Sequence, residues 1–456
     1  MILVYKNLRI RNAESCDAEQ LCVWWNDGKV MAHAGFPNGL HETAKKIRES
    51  IAADSDETGR RHIIELNGIA IGEMNYRNKG GGAAEIGIKI CDPSEQNKGY
   101  GTMLLSMFAD ALFQYYGYRK IVLDTNMNNK RAQYVYEKKM GFRYIGTREN
   151  SWQNQLGEYQ SSMDFELKKS DWLTVKKSPA CYIHIRRENP ADYHAVENLA
   201  REAFWINTDA KEFINEHLLT HKLRESPSYI PELDYLAEIS GELAGHVIYS
   251  LAKIVDKDNV EHEILNFGPL SVLPKYQGKN VGRALMEFTI AEAKRLGYKA
   301  IAFFGHPDYY PRFGFHRAGE YGLTTPDGGV FDAFMAMELQ DGALRAIGGG
   351  RYYEDSLFGN ITDEETRAFD KNFPEKEHLA PAYINVLLER LEPDARAAIE
   401  SQGFTYLRDV RGLTEKAASQ LPGIDGHAKE TIRDVMKERG SVWGEGHYNQ
   451  NVAETD

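Results

Sequence analysis

The sequence predicts a mixed α/β fold laid down twice, each copy a twisted sheet flanked by helices, with a small all-α module behind them. Three observations carry this prediction. A strand ending in Pro, then Gln, a Gly-bearing loop and an amphipathic helix occurs first as Pro93-Ser-Glu-Gln96-Asn97-Lys98-Gly99-Tyr100-Gly101. It recurs as Pro274-Lys-Tyr-Gln277-Gly278-Lys279-Asn280-Val281-Gly282. The helices that follow end alike, Tyr116-Gly117-Tyr118-Arg119-Lys120-Ile121 against Leu296-Gly297-Tyr298-Lys299-Ala300-Ile301. The order strand, helix, hairpin, strand, loop, helix repeats across both stretches, and internal duplication is the economical account.

Residues 1–168 form the first unit. A short strand is expected at 8–11, helices at 17–25 and 42–53, and a hairpin at 62–66 and 69–76 turning on Asn67-Gly68, a pair suited to a tight turn. Residues 84–91 alternate as a strand that runs into the Gln96 loop. Helix 102–116 carries Leu104, Leu105, Phe108 and Leu112 as one apolar stripe. A buried strand at 120–125, a helix at 130–140 and strands at 142–147 and 162–167 complete the unit. A polar linker, 168–180, broken by Ser178-Pro179, separates it from the second unit, 181–339. There the expected order is strand 182–186, helix 192–204, hairpin 235–238 and 246–249, strand 264–273, loop, and helix 283–296. Residues 340–378 read as a loosely packed extension and linker, 379–440 as the helical module, and 441–456 as a disordered tail.

The chain has 456 residues, room for about three domains of ordinary size. Its 42% hydrophobic and 27% charged content describe a soluble globular protein. No apolar run approaches the roughly 20 residues that a membrane span requires, and the first residues lack the pattern of a secretory signal. A net charge of −12 disfavours general nucleic-acid binding, which relies on clustered Lys and Arg. Cys16, Cys22, Cys91 and Cys181 show no C-x-x-C spacing and read as reduced thiols of a cytoplasmic protein, with no metal site.

A loop of this kind turns several backbone N–H groups toward one point at the positive end of a helix, an arrangement that holds a diphosphate. Both large units resemble the GNAT superfamily of N-acetyltransferases, whose acetyl-CoA loop has the pattern Gln/Arg-x-x-Gly-x-Gly/Ala. The first unit adds Asn129-Lys-Arg-Ala132-Gln-Tyr-Val-Tyr136-Glu-Lys-Lys-Met-Gly141-Phe142, close to a second family segment, with one residue more than usual between Tyr136 and Gly141. The resemblance implies acetyl-CoA as cofactor, lying between the strands at 84–91 and 120–125. It implies that Gln96, Asn97, Lys98, Gly99, Tyr100, Gly101 and Thr102 hold the diphosphate and that an N–H near Cys91 polarises the thioester. It further implies that Asn129 contacts the cofactor arm and that Tyr136 protonates the departing thiolate. Glu85, at the start of the fourth strand, is the candidate base, against a solvent-facing strand-end carboxylate. Cys91 reads as a small buried thiol rather than a nucleophile. Trp24, Trp25 and Phe36 resemble an acceptor wall, with core packing of at least one Trp as the alternative.

The second unit resembles another branch of the family through Gly268-Pro-Leu270-Ser-Val272-Leu-Pro274 and Gly305-His306-Pro-Asp308-Tyr-Tyr310-Pro-Arg-Phe-Gly314-Phe315. Tyr310 takes the acid's place, and Val272, Gln277, Gly278, Lys279, Asn280, Val281 and Gly282 the cofactor's contacts. Two departures stand out. Asn280 replaces the first loop glycine, and Asn266 falls where Glu85 lies, with Glu263 or His306 as substitute bases. This unit is either active or degenerate.

In 379–440, Leu391-Glu-Pro-Asp394-Ala-Arg-Ala397-Ala398 and the turn Leu421-Pro-Gly-Ile424-Asp425 resemble the helix-hairpin-helix in the C-terminal domain of RNA polymerase alpha. Asp394 and Ala397 stand where that family holds DNA with Arg and Asn, and an acid repels phosphate. Protein docking is therefore favoured over DNA binding. The function expected is acetyl transfer to a primary amine, of a small molecule or a protein N-terminus. The alternative is an acetyl-CoA-responsive adaptor that docks a partner through the helical module.

Overall fold

The computed structural model describes residues 1–175, 182–205, 214–376, 383–404, 407–413, 415–438 and 443. Cys181, residues 176–180 of the 168–180 linker and, apart from Trp443, the 441–456 tail lie outside the described residues, whereas Lys169–Val175 of that linker form a helix with Trp172 buried. The chain forms two compact units, one of Met1–Arg186 with Ala237–Glu242, the other of Arg187–Leu236 with Leu243–Asp456.

The first unit opens with two strands, β1 (Ile2–Tyr5) and β2 (Leu8–Asn12), of which only the second was expected. Helices α1 (Ala18–Asn26), α2 (Gly28–Met31) and α3 (Ala44–Ala52) follow. Ala18, Leu21 and Trp24 of α1 bury against Ile47 and Ile51 of α3, the apolar face that the periodicity requires. Strands β3 (Gly59–Leu66) and β4 (Ile69–Asn78) form the expected hairpin, with Asn67 and Gly68 both at positive φ, 52° and 77°. Then come β5 (Ala83–Ile90), α4 (Tyr100–Gln114), β6 (Lys120–Asn126) and α5 (Lys130–Tyr134). Strands β7 (Arg143–Gln153) and β8 (Tyr159–Lys168) and helix α6 (Lys169–Val175) complete this run. The stripe Leu104, Leu105, Phe108 and Leu112 of α4 is wholly buried against Ile121, Phe165 and Leu167 of the sheet.

Strand β9 (Ile183–Arg187), expected to open the second unit, pairs with β1 through Ile2↔Ile185, Leu3↔His184 and Val4↔Ile183. Beside it, the Asp110 carboxylate of α4 accepts from the Trp172 indole at 2.9 Å and the Tyr182 hydroxyl at 2.8 Å. All three side chains are buried.

Helices α7 (Tyr193–Phe204) and α8 (Glu216–Leu223) belong to the second unit, and β10 (Tyr235–Ile239) begins there but has its last three residues in the first. Strands β11 (Glu242–Val255) and β12 (Glu261–Val272), helix α9 (Val281–Arg295) and β13 (Ala300–Phe304) then build the second unit. Short strands β14 (His316–Arg317) and β15 (Leu323–Thr324) precede β16 (Phe334–Glu338). The stretch read as a loose extension is corrected here. After α10 (Ala343–Ile347), β17 (Gly350–Tyr353) pairs antiparallel with β11 and parallel with β15. Leu344 and Tyr352 join the core of Ala302, Phe334 and Ala336. Sequence periodicity gave no signal for a four-residue strand that starts at the end of a glycine run.

Helices α11 (Leu357–Asn360) and α12 (Asp363–Asp370) lead to α13 (Asn385–Leu388), α14 (Pro393–Glu400), α15 (Glu415–Ala418) and α16 (Gly426–Glu438). The last four surround a separate core that includes Leu387, Ile399, Val410, Ile432 and Trp443. Asp425 caps α16, its Oδ1 accepting the Ala428 N–H at 2.8 Å. No helix among the described residues is long and apolar enough to cross a membrane.

Candidate active site

The two Gly-bearing loops share one backbone path. Residues 97 and 99 are left-handed in the first, at φ 64° and 85°, and residues 278 and 280 in the second, at 70° and 65°. One position is glycine and the other asparagine in each loop, with the order exchanged. Asparagine is the side-chain-bearing residue that tolerates this region best, so Asn280 keeps the turn. Each loop ends at the first turn of a helix, α4 or α9, where N–H groups have no intrahelical acceptor. A Cβ at Gly99, Gly101 or Gly278 would meet no atom within 4 Å, so these loops leave room for a bulky anion. Gly282 is tighter, with the Tyr309 hydroxyl 3.1 Å from such a Cβ.

Gln96 and Gln277 are not placed as donors to that anion. The Gln96 side chain donates to the Ile90 carbonyl at 2.9 Å and its N–H to the Pro93 carbonyl at 3.3 Å. Likewise, the Gln277 side chain donates to the Val272 carbonyl at 3.2 Å and its N–H to the Leu273 carbonyl at 3.2 Å. Each glutamine ties the loop to the strand before it. The Lys279 N–H is also engaged, by the Tyr276 carbonyl at 3.3 Å.

Ahead of each loop two parallel strands part. β5 and β6 pair at Ala83↔Lys120, Ala84↔Ile121 and Glu85↔Val122, and then diverge. β12 and β13 meet only at Leu265↔Ile301. The expectation for Cys91 is corrected at this fork. The N–H groups of Cys91 and Asp92 both go to the Ile71 carbonyl, at 2.8 and 3.0 Å, so a bulge turns Cys91 toward β4. Ladder alternation leaves Ile90 facing the opening, as its carbonyl bond to Gln96 confirms. Nothing in the sequence marks such a bulge. The Cys91 thiol is buried and pushed up to about 12, chiefly by that burial and then by Glu73, which suits an inert side chain.

Tyr136 lies in a π turn, Val135–Met140, which absorbs the extra residue before Gly141. Its ring packs 5.9 Å from those of Phe142 and Phe165. Burial, and then Asp124, raises its hydroxyl to about 12, so it stays protonated at neutral pH. Asn129 caps α5 through its Oδ1, 3.2 Å from the Ala132 N–H, a bond that does not use its amide NH2. Glu85, half-buried at the fork, faces Lys79 at 3.5 Å. In the second unit Tyr310 packs against Phe303 at 4.6 Å and Phe267 at 5.7 Å, and burial raises its hydroxyl strongly.

The acceptor wall divides. Trp24 is 7% exposed and belongs to the core, which corrects its assignment. The Trp25 indole N–H donates to both oxygens of buried Glu73 at 3.0 Å, and Lys89 holds the same carboxylate at 2.9 Å. Phe36 is 38% exposed. Glu73, Asn75 and Arg77 stand opposite Lys89, Gly87 and Glu85 and share one face, a polar row that strand alternation alone did not single out.

Among the described residues, Glu188, Asp234 and His246 bring metal-ligand atoms within 4.8 Å of one another. Arg224 holds Glu188 at 2.6 and 2.9 Å, and Asp234 holds His246 at 2.8 Å, an internal ionic network.

Residues 7–143 match the family model described as "Acetyltransferase (GNAT) domain", and residues 193–319 that described as "Acetyltransferase (GNAT) family". The uncharacterized N-acetyltransferase YhbS of Escherichia coli (strain K12) is 30% identical over 165 residues, 36% of this chain and 92% of that protein. The chain belongs to the GNAT acetyltransferases. It is an acetyl-CoA-dependent acyltransferase with two GNAT domains in tandem. The uncharacterized N-acetyltransferase YjhQ of the same strain is 33% identical over 123 residues, 26% of this chain and 67% of that protein. Among solved structures, E. coli YhbS in complex with CoA has 28% identity and a TM-score of 0.36, over 41% of this chain and 97% of that one. Spermidine N-acetyltransferase from Vibrio cholerae, in complex with CoA and spermine, has 24% identity and a TM-score of 0.34, over 37% and 99%.

Proposed function

We propose that the first GNAT domain transfers an acetyl group to a primary amine, and that the second binds acetyl-CoA and acts in the same way. The observation that carries this is the fork of β5 and β6 opening beside a loop with left-handed Asn97 and Gly99 at the start of α4.

When bound, acetyl-CoA supplies an activated acetyl group. The amides from Asn97 to Thr102 hold its diphosphate, aided by the positive end of α4. The Ile90 N–H, rather than that of Cys91, is directed at the thioester oxygen, where negative charge grows. Glu85 takes the proton from the attacking amine and Tyr136 gives one to the leaving sulfur. In the second domain Val272 corresponds to Ile90 and Tyr310 to Tyr136. Trp25 and Phe36 border the amine's side of the sheet. The reacting amine belongs to a small molecule or a protein N-terminus.

Residues 379–440 serve as a docking module for a protein rather than for DNA. Supporting this is a 460 Å³ cleft lined by Arg390, Asp394, Asp425 and His427, where the two acids oppose a phosphate backbone.

An amine panel with acetyl-CoA, followed by thiol release and calorimetry, tests the reading. Gly99→Glu, or Gly101→Glu, is expected to abolish acetyl-CoA binding and transfer by the first domain. Unchanged heat and turnover in these variants would overturn the assignment.

A further inference from the structure

Asn266 occupies on β12 the place that Glu85 holds on β5, so the second domain's strand lacks a carboxylate at its fork. Another part of the chain brings one there. β12 and β13 touch at Leu265↔Ile301, and the next residues on either side are Asn266 and Ala302. The Asn266 amide donates to Glu354 Oε2 at 3.3 Å. The Tyr352 hydroxyl donates to the Ala302 carbonyl at 2.9 Å and lies 3.4 Å from the same Glu354 oxygen. Glu354 is therefore held at the point where the two strands separate, directly by Asn266 of β12 and through Tyr352 by Ala302 of β13. It follows directly on β17, which Lys253↔Tyr353, Ile254↔Tyr352 and Val255↔Arg351 pin to β11.

A second observation marks the same place. Ser250 stands opposite Asn266 in the β11–β12 register, and so on the same face. Its hydroxyl, in a residue 1% exposed, has no hydrogen-bond partner among the described residues, an unmet polar group that a bound polar molecule would satisfy. Neither substitute expected from the sequence competes. Glu263 is exposed ahead of the fork, and His306 Nδ1 already accepts the Asp308 N–H at 3.1 Å.

We propose that Glu354 is the proton acceptor of the second GNAT domain, in the role that Glu85 has in the first. As the amine nitrogen bonds to the acetyl carbon and the carbon–sulfur bond breaks, the amine's proton passes to Glu354. The proton of the Tyr310 hydroxyl passes to the departing sulfur, and solvent then restores both groups. Burial raises the Glu354 carboxyl to about 7; the Tyr352 hydrogen bond lowers it and neighbouring Asp355 raises it further. A base poised near neutrality serves this task well.

The inference rests on acetyl-CoA binding by the second domain, so the test separates the two. In the full chain carrying Gly99→Glu, acetyl-CoA calorimetry and amine-dependent thiol release report the second domain alone. Glu354→Gln is expected to keep the heat, to lower thiol release about 100-fold, and to remove a rate inflection near 7. Adding Asn266→Glu is expected to restore part of the rate. Unchanged rate and inflection in Glu354→Gln would overturn the proposal, as would cofactor heat without any turnover in its parent. Loss of heat in Glu354→Gln, unrestored by Asn266→Glu, would assign a structural role and also overturn it. No heat in the parent would instead refute acetyl-CoA binding by this domain, and the proposal with it.

Discussion

The first fork holds three strand pairs and carries its carboxylate on the strand itself; the second holds one pair and receives a carboxylate from residue 354. Their loops follow one backbone path with glycine and asparagine exchanged. The comparison separates two requirements. Backbone shape can be met by either residue that tolerates a left-handed turn, and a carboxylate can arrive from any segment that reaches the fork.

The largest expected effect tests the loops against each other. Asn280→Glu in a chain with an intact first loop is expected to remove the second domain's acetyl-CoA heat and leave the first domain's in place. The cause is a carboxylate facing a diphosphate, with roughly 1 kcal/mol of left-handed strain added. Equal loss from both domains in calorimetry would show that the loops do not act separately.

Next come the acids. Tyr136→Phe and Tyr310→Phe, each in a chain whose other loop is blocked, are expected to lower kcat about 100-fold with little change in the KM for acetyl-CoA. Because the Tyr136 hydroxyl is raised to about 12, the first domain's rate should not fall at mildly alkaline pH. A fall there would mean that another group supplies the proton.

The smallest effect concerns shape alone. Asn97→Gly and Asn280→Gly keep the turn and are expected to shift stability by less than about 1 kcal/mol, read as Tm. A much larger loss in either would show that the asparagine side chain does more than tolerate its φ.

Much of this was legible beforehand. The Asn67-Gly68 hairpin, the α4 stripe and both loops follow from periodicity and turn chemistry, which are local. The surplus residue after Tyr136 was visible, but its accommodation as a π turn depends on the helix keeping Tyr136 and Phe142 packed together. Three features were hidden because they are set by distant partners. The bulge at Cys91 depends on Ile71, the burial of Trp24 on α3, and the arrival of Glu354 on β11. In the helical module the charge of Asp394 was legible in the sequence, whereas the capping of α16 by Asp425 shows only in the fold.

The pairing of β9 with β1, and the sharing of Asp110 by Trp172 and Tyr182, bear on where this polypeptide can be cut. A fragment stopping at 168 would forfeit β9 and remove both of these donors from the buried Asp110 carboxylate, each such hydrogen bond to a charged group being worth about 2 kcal/mol. Recombinant dissection of the tandem should therefore keep residues through 186 with the amino-terminal half.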